Sequence, residues 1–208
     1  VPGRVVPDRV YEVLSENVGG GRISHGWYYG YGSIRSGESY ATFSSAFEYH
    51  FEEVDIAYSP EWPALEKVTG EVRFQPWQGV VEVGSASIGG IDLDPSTARF
   101  GWKESGFRVD VDAGARRQGE ILTRQWREAS PLPEMLGEWV HDLRLNGPAE
   151  AELSARLWPL GDRKPQLDLG LDLKGASLRY LPRGLSWSNL TGPLSYRTGE
   201  GLDKTTLE

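Results

Sequence analysis

The sequence lacks cysteine, which excludes disulfide bonds and thiolate metal sites. It also has no apolar run close to the roughly 20 residues of a membrane-spanning helix. Its three histidines, His25, His50 and His141, do not have the spacing of a metal-binding motif. Basic residues form no patch, and the formal net charge is −8, which argues against a nucleic-acid partner. We therefore expect no metal, no cofactor and no catalytic residue, and we do not expect an enzyme.

What the chain has in abundance is glycine, with 26 residues, together with 8 tryptophans and 9 tyrosines. Many turn residues and many aromatic residues favour a β-rich protein. Residues 47–52 alternate between apolar and polar side chains, which is the period of a strand with one apolar face. The alternation slips by one residue at Glu52-Glu53 and resumes at Val54, which predicts a β-bulge. Further alternating runs lie at 68–74, 80–83, 98–102 and 107–111.

Helical spacing is confined to two places. Val6, Val10 and Leu14 share one face of a short predicted helix, and apolar residues recur at helical intervals between 119 and 143. The second stretch predicts a helical insert at 119–143. We therefore predict a mainly β fold, an elongated and curved antiparallel-type sheet that forms a groove, with two or three short helices.

Part of the chain repeats at an offset of 122 residues, without a gap, from Phe47/Leu169 to Val80/Leu202. The identical pairs are Tyr58/Tyr180, Pro60/Pro182, Thr69/Thr191, Gly70/Gly192 and Gly79/Gly201. The slip at Glu52-Glu53 recurs at Lys174-Gly175. We predict repeat units at 47–80 and 169–202, in which each unit covers the edge of its neighbour.

Several motifs occur in an order that resembles a known family. They are "VDIAYSPEWPALEKVTGEVRF", "VVEVGSASIGGIDLDPSTARF", "NGPAEAELSARLWPL", "GASLRYLP" and "LSWSNLTGPLSYRTGEGL". In this order they resemble the AsmA-like family, specifically its large YhdP-type envelope proteins, over roughly residues 5–202. The segment at 33–45 departs from the pattern, because it shows no "FPF"-like element.

The resemblance implies that residues 1–208 are an internal segment of a longer repetitive β-rich protein. Such proteins are anchored in the inner membrane of Gram-negative bacteria, and their bodies cross the periplasm. The implied function is that of a bridge that guides phospholipid acyl chains along an apolar groove towards the outer membrane. The implied partners are phospholipid and neighbouring repeats of the same chain.

The alternation itself defines the candidate lipid-binding face of the groove. Its members are the apolar positions of the two repeat units: Phe47, Tyr49, Phe51, Val54, Ile56, Tyr58, Val72, Phe74, Leu169, Leu171, Leu173, Leu178, Tyr180, Leu194 and Tyr196. The same alternation is also typical of a strand that packs a closed core.

Two alternatives stay open from the sequence. The aromatic cluster Trp27, Tyr28, Tyr29 and Tyr31 also suits a carbohydrate- or glycan-binding envelope protein. A purely structural envelope rod with a dry core would show the same strand pattern. The carboxylate pair Asp92 and Asp94 fits a solvated strand end better than a catalytic pair.

Overall fold

The computed structural model describes residues 18–32, 44–57, 63–76, 78–104, 106–119, 124, 141–158, 163 and 166–197. The predicted helix near Val6 and most of the predicted insert at 119–143 lie outside these residues. Besides strands, the described residues include helical positions at Gly119, Arg124 and 141–142 and the 3₁₀ turn Leu181–Arg183, whereas the sequence predicts two or three short helices. The end of the predicted insert was wrong, because Leu143 is already the first residue of a strand.

Among the described residues, eleven strands form one open antiparallel sheet. They are β1 Val18–Tyr31, β2 Ser44–Ile56, β3 Leu65–Gln75, β4 Gln78–Ile88, β5 Ile91–Leu93, β6 Ser96–Lys103, β7 Gly106–Gln118, β8 Leu143–Asn146, β9 Pro148–Leu157, β10 Gln166–Tyr180 and β11 Leu185–Arg197. The prediction of a mainly β, elongated and curved antiparallel sheet is confirmed.

The eleven strands occupy nine successive positions across the sheet, which we call strand lines, and these lines follow the order of the chain. β4 pairs with both β5 and β6, through Ala86↔Leu93 and Val83↔Ser96, so β5 and β6 are one strand interrupted at 94–95. β10 pairs in the same way with β8 and β9, which are interrupted at Gly147. The sheet is therefore a meander in which each line pairs with the next one along the chain.

A row of irregular positions crosses this meander. Glu53, Lys67 and Asn189 have positive φ angles of 54°, 51° and 56°, and Gly147 and Gly175 have φ angles of 96° and 69°. The strand registers shift at or beside several of these positions, as between Phe51 and Val54 and between Lys174 and Ala176. A bulge bends its strand and increases its twist. Bulges on successive strands therefore bend the sheet along one line, which we call the bulge row.

The two predicted repeat units have the same geometry at the bulge row. The backbone N–H of Glu53 donates a hydrogen bond of 3.2 Å to the Thr69 hydroxyl. The backbone N–H of Gly175 donates one of 3.2 Å to the Thr191 hydroxyl. Donor and acceptor are both displaced by 122 residues, so the offset read from the sequence also relates the local structures.

Most of the best-buried apolar side chains lie near the bulge row. They are Val54, Val68, Ala86, Ile91, Ala115, Leu143, Leu145, Ala149, Leu167, Leu171, Leu173 and Ala176. Seven of them pack as one cluster that spans β5, β7, β8, β9 and β10: Ile91, Ala115, Leu145, Ala149, Leu171, Leu173 and Ala176. The core therefore crosses many strands and is centred on the bend.

Candidate functional site

The strand registers place the predicted apolar positions on one face. Phe47 lies opposite Phe74, and Tyr49 lies opposite Val72. Leu169 lies opposite Tyr196 in the second unit. Directly opposed residues of an antiparallel pair project from the same side of the sheet. We call this side the apolar face.

None of the described members of the predicted lipid-binding set is exposed. Val54, Leu171 and Leu173 are buried, at 5–6% exposure. The half-buried members are Phe47, Tyr49, Phe51, Ile56, Val72, Phe74, Leu169, Leu178, Tyr180, Leu194 and Tyr196. Tyr58 lies outside the described residues. The structure thus brings fourteen of these positions into one sheet, and their contact with lipid stays a prediction.

A row of aromatic rings crosses the apolar face at one end of the strands. Phe47 and Phe74 stack with ring centroids 5.0 Å apart, and Phe74 and Phe100 are 6.2 Å apart. Phe107 continues the row at 6.4 Å from Phe100, with Trp102 at 5.7 Å from Phe107. The sequence prediction missed the last three residues, although it identified their strands. Their alternation within 98–102 and 107–111 was the available signal.

Two glycines make room for rings on this face. A Cβ atom at Gly79 would lie 2.3 Å from Cζ of Phe100, and one at Gly26 would lie 2.1 Å from Cδ1 of Tyr49. Both distances are far inside van der Waals contact. Each ring therefore lies over bare backbone of the neighbouring strand, which lets aromatic side chains pack across the sheet.

The opposite side of the sheet carries ion pairs, and we call it the charged face. Arg73 pairs with Glu48, Glu71 and Glu82 across three strands. Further along, Arg156 lies 3.2 Å from Asp110, and other such pairs follow towards β11. Charged side chains on exposed strand faces contribute little stability each. Their consistent placement nevertheless distinguishes a wet side from an apolar side.

Two of these pairs shift pKa values. A hydrogen bond from Arg22 lowers the pKa of the Glu52 carboxyl below its usual value, and the Glu52 carboxylate raises the pKa of Arg22. A hydrogen bond from Lys174 likewise lowers the pKa of Glu150. Both carboxyl groups are on the charged face and stay ionised to lower pH than free glutamates.

The described strands form a single layer. Every substantial contact between described elements joins strands that are adjacent in the sheet. Even the contact of β5 with β7 is of this kind, since the backbone N–H of Asp94 donates a 2.8 Å hydrogen bond to the carbonyl of Gly114. Within the described ranges, no second sheet therefore covers the apolar face.

The aromatic cluster of β1 divides between the two faces. Trp27 lies opposite Glu48 and thus on the charged face, while Tyr28 lies opposite Phe47 on the apolar face. Trp27, Tyr29 and Tyr31 are 61%, 65% and 75% exposed. They occupy every second position of an edge strand and project from the same side.

Two histidines of β1 and β2 come together on the charged face. The rings of His25 and His50 stack with centroids 3.9 Å apart. His50 also lies between two glutamates, Glu48 and Glu71. His25, His50 and Glu71 border an open depression of about 590 Å³. His141 is exposed and lies far along the chain, beside β8.

Comparison with family models, curated proteins and solved structures finds no match for this chain. Among the described residues, no helix combines the length and the apolar character needed to cross a membrane.

Proposed function

We propose that this chain is a segment of an AsmA-like, YhdP-type envelope protein and that its apolar face guides phospholipid acyl chains. The observation that carries the proposal is the single-layer sheet with one apolar face and one charged face. The ordered motifs add the family assignment, the periplasmic location and the inner-membrane anchor. Under this proposal the protein is not an enzyme, and its partners are phospholipid and adjoining repeats.

The energetics favour such a surface. Each acyl methylene removed from water is worth about 0.8 kcal/mol. A lipid that crosses an aqueous space therefore needs continuous apolar contact. Nine strand lines with a spacing of about 4.8 Å give a face about 40 Å wide. One leaflet of a bilayer core is about 15 Å thick, so the face is longer than an acyl chain.

The bend of the sheet indicates which of its two faces is concave. Val54 and Leu173 belong to the predicted lipid-binding set, and both are buried beside the bulge row. Apolar side chains crowd together on the inner side of a bent sheet. Their burial favours the apolar face as the concave side, which is the shape of a groove.

Site-specific photo-crosslinking in cells tests the proposal. The crosslinking amino acid would replace Tyr49 or Leu169, both half-buried on the apolar face, with Glu48 and Asp172 as charged-face controls. We expect phospholipid adducts at the first two positions and none at the controls. Adducts at no position would contradict lipid transport and favour a structural rod with a dry core. Equal adducts on both faces would contradict the assignment of the apolar face.

One observation favours a second candidate, carbohydrate binding on the charged face. The exposed side chains of Trp27, Tyr29 and Tyr31 offer aromatic surfaces, and sugar rings stack on such surfaces. Titration with oligosaccharides should then change tryptophan fluorescence in the wild type and less in Tyr29→Ala. An unchanged spectrum across chain types would remove this candidate.

A further inference from the structure

The charged face contains three potential metal ligands at the spacing of a coordination sphere. Nε2 of His50 lies 3.4 Å from Oε1 of Glu48 and 3.4 Å from Oε2 of Glu71. The three ligand atoms all lie within 4.8 Å of one another. Zinc bonds to histidine nitrogen and carboxylate oxygen are about 2.0–2.1 Å long, so neighbouring ligands of a tetrahedron lie roughly 3.3–3.4 Å apart. The two short separations match that value.

The strand register explains how these residues meet. Glu48 and His50 are two positions apart on β2 and therefore project from the same face. His50 is directly opposite Glu71 on β3. The separation of Glu71 from the other two in sequence hides the group from any motif search.

Arg73 orients both carboxylates from the other side. Its guanidinium contacts Oε1 of Glu71 and lies 3.8 Å from Oε2 of Glu48. The other carboxylate oxygen of each glutamate, Oε1 of Glu48 and Oε2 of Glu71, faces Nε2 of His50. This is the arrangement of an outer-shell partner, which fixes ligand orientation while it leaves the ligand atoms available.

The local charge also favours a cation. Glu48, Glu71 and Glu82 share the guanidinium of Arg73 in the described ion pairs. With neutral His50, these four side chains leave about two negative charges uncompensated. A divalent ion would balance them.

The surroundings leave room for a fourth ligand. His50 is restrained by its stack on His25, and the side chains of His50 and Glu71 are 29% and 19% exposed. Both residues border the open depression of the charged face. Three protein ligands with one open position are typical of a site where a water completes the sphere.

We propose that Glu48, His50 and Glu71 form a binding site for a divalent transition-metal ion, with Zn²⁺ as the best fit to the ligand set. Imidazole and carboxylate ligands suit zinc, and the site's spacing suits four-coordination. The proposal is independent of lipid transport, because the site is on the opposite face of the sheet.

Titration of tag-free, chelator-treated protein with Co²⁺ and Zn²⁺ tests the site. Co²⁺ in a four-coordinate site gives intense visible absorption, which reports geometry as well as binding. We expect one equivalent of Co²⁺ to produce this spectrum and Zn²⁺ to displace it. His50→Ala and Glu71→Gln should each weaken binding at least tenfold.

Matched controls are available on the same molecule. His141→Ala removes an exposed histidine, and Glu152→Gln removes an exposed carboxylate elsewhere on the charged face. Both should bind like the wild type. Circular dichroism would verify folding, and His50→Gln would replace His50→Ala if the latter did not fold.

Two results would overturn the site. One is the absence of Co²⁺ and Zn²⁺ binding by the folded wild type. The other is undiminished binding by the folded His50 variant, which would place the ion elsewhere. In the first case the three side chains form only a group of polar contacts on the charged face.

Discussion

Thr69 and Thr191 make the same hydrogen bond 122 residues apart, each accepting from a backbone N–H at a positive-φ residue of the preceding strand. This hydrogen bond satisfies a backbone N–H that the bulge has removed from the regular hydrogen-bond ladder between the strands. We expect Thr69→Val to lower the free energy of unfolding by about 1 kcal/mol. Thr191→Val should cost about 0.5 kcal/mol, because Thr191 is exposed and water can replace the hydroxyl.

Urea denaturation of both variants would measure these differences. Thr97→Val, near the start of β6, provides a control with the same change of side chain. A loss of stability in Thr97→Val as large as in Thr69→Val would show that the bulge bond has no special role.

The aromatic row depends on the missing side chain of Gly79. In Gly79→Ala the new Cβ would overlap the Phe100 ring, so the ring must move. We expect a loss of about 1–3 kcal/mol, the usual cost of overpacking. Gly84→Ala is the matched control, since the nearest atom to its Cβ is 3.6 Å away. That variant should be more stable by about 0.4–1 kcal/mol, as its unfolded chain has less freedom. Equal stability of the two variants in denaturant would contradict the packing argument.

Lipid carriage on the apolar face predicts an asymmetric effect of charge. Tyr49→Glu places a carboxylate on the apolar face and should abolish copurification of phospholipid, while the circular dichroism spectrum stays that of a folded sheet. Tyr29→Glu makes the same chemical change on the charged face and should retain lipid. Mass spectrometry of lipid extracts makes the comparison. Retained lipid in folded Tyr49→Glu would exclude this position from the lipid track.

The pair of Lys174 and Glu150 predicts a stability change in acid. The hydrogen bond lowers the pKa of Glu150 in the folded state, so its contribution is present above the unfolded pKa of about 4.5. It is lost as the pH falls through the folded pKa. Lys174→Met removes the partner and should flatten the pH dependence of unfolding between about pH 5 and pH 3. An unchanged slope in this variant would contradict the role of the pair.

Local patterns in the sequence were enough to predict the strands and the slip at Glu52-Glu53. They were enough because both are properties of a few consecutive residues with period 2. The contacts between Phe74 and Phe100, and between His50 and Glu71, depend on strand register. Register is set by how each hairpin closes and by bulges in both partners, so a single strand does not contain it.

The predicted lipid-binding residues show the same difference between what a local sequence pattern predicts and what depends on the whole sheet. Alternation placed Tyr49 and Leu171 on one face, but it did not separate half-buried Tyr49 from buried Leu171. That difference arises from the neighbouring strands, because Leu171 belongs to the buried cluster that spans β5, β7, β8, β9 and β10 and Tyr49 does not. The helical insert at 119–143 stays a prediction, because most of it lies outside the described residues, and its last residue, Leu143, begins a strand.

The bulge row runs in the direction in which strands add to the sheet. Each new hairpin that brings its own bulge extends the bend without altering the profile of the trough in cross-section. The length and the depth of the trough are thus independent in this architecture. The number of strands sets its length. The position of the inserted residue within each strand sets its depth. A protein of this design can be lengthened by duplication while the cross-section of the trough stays the same at every point along it.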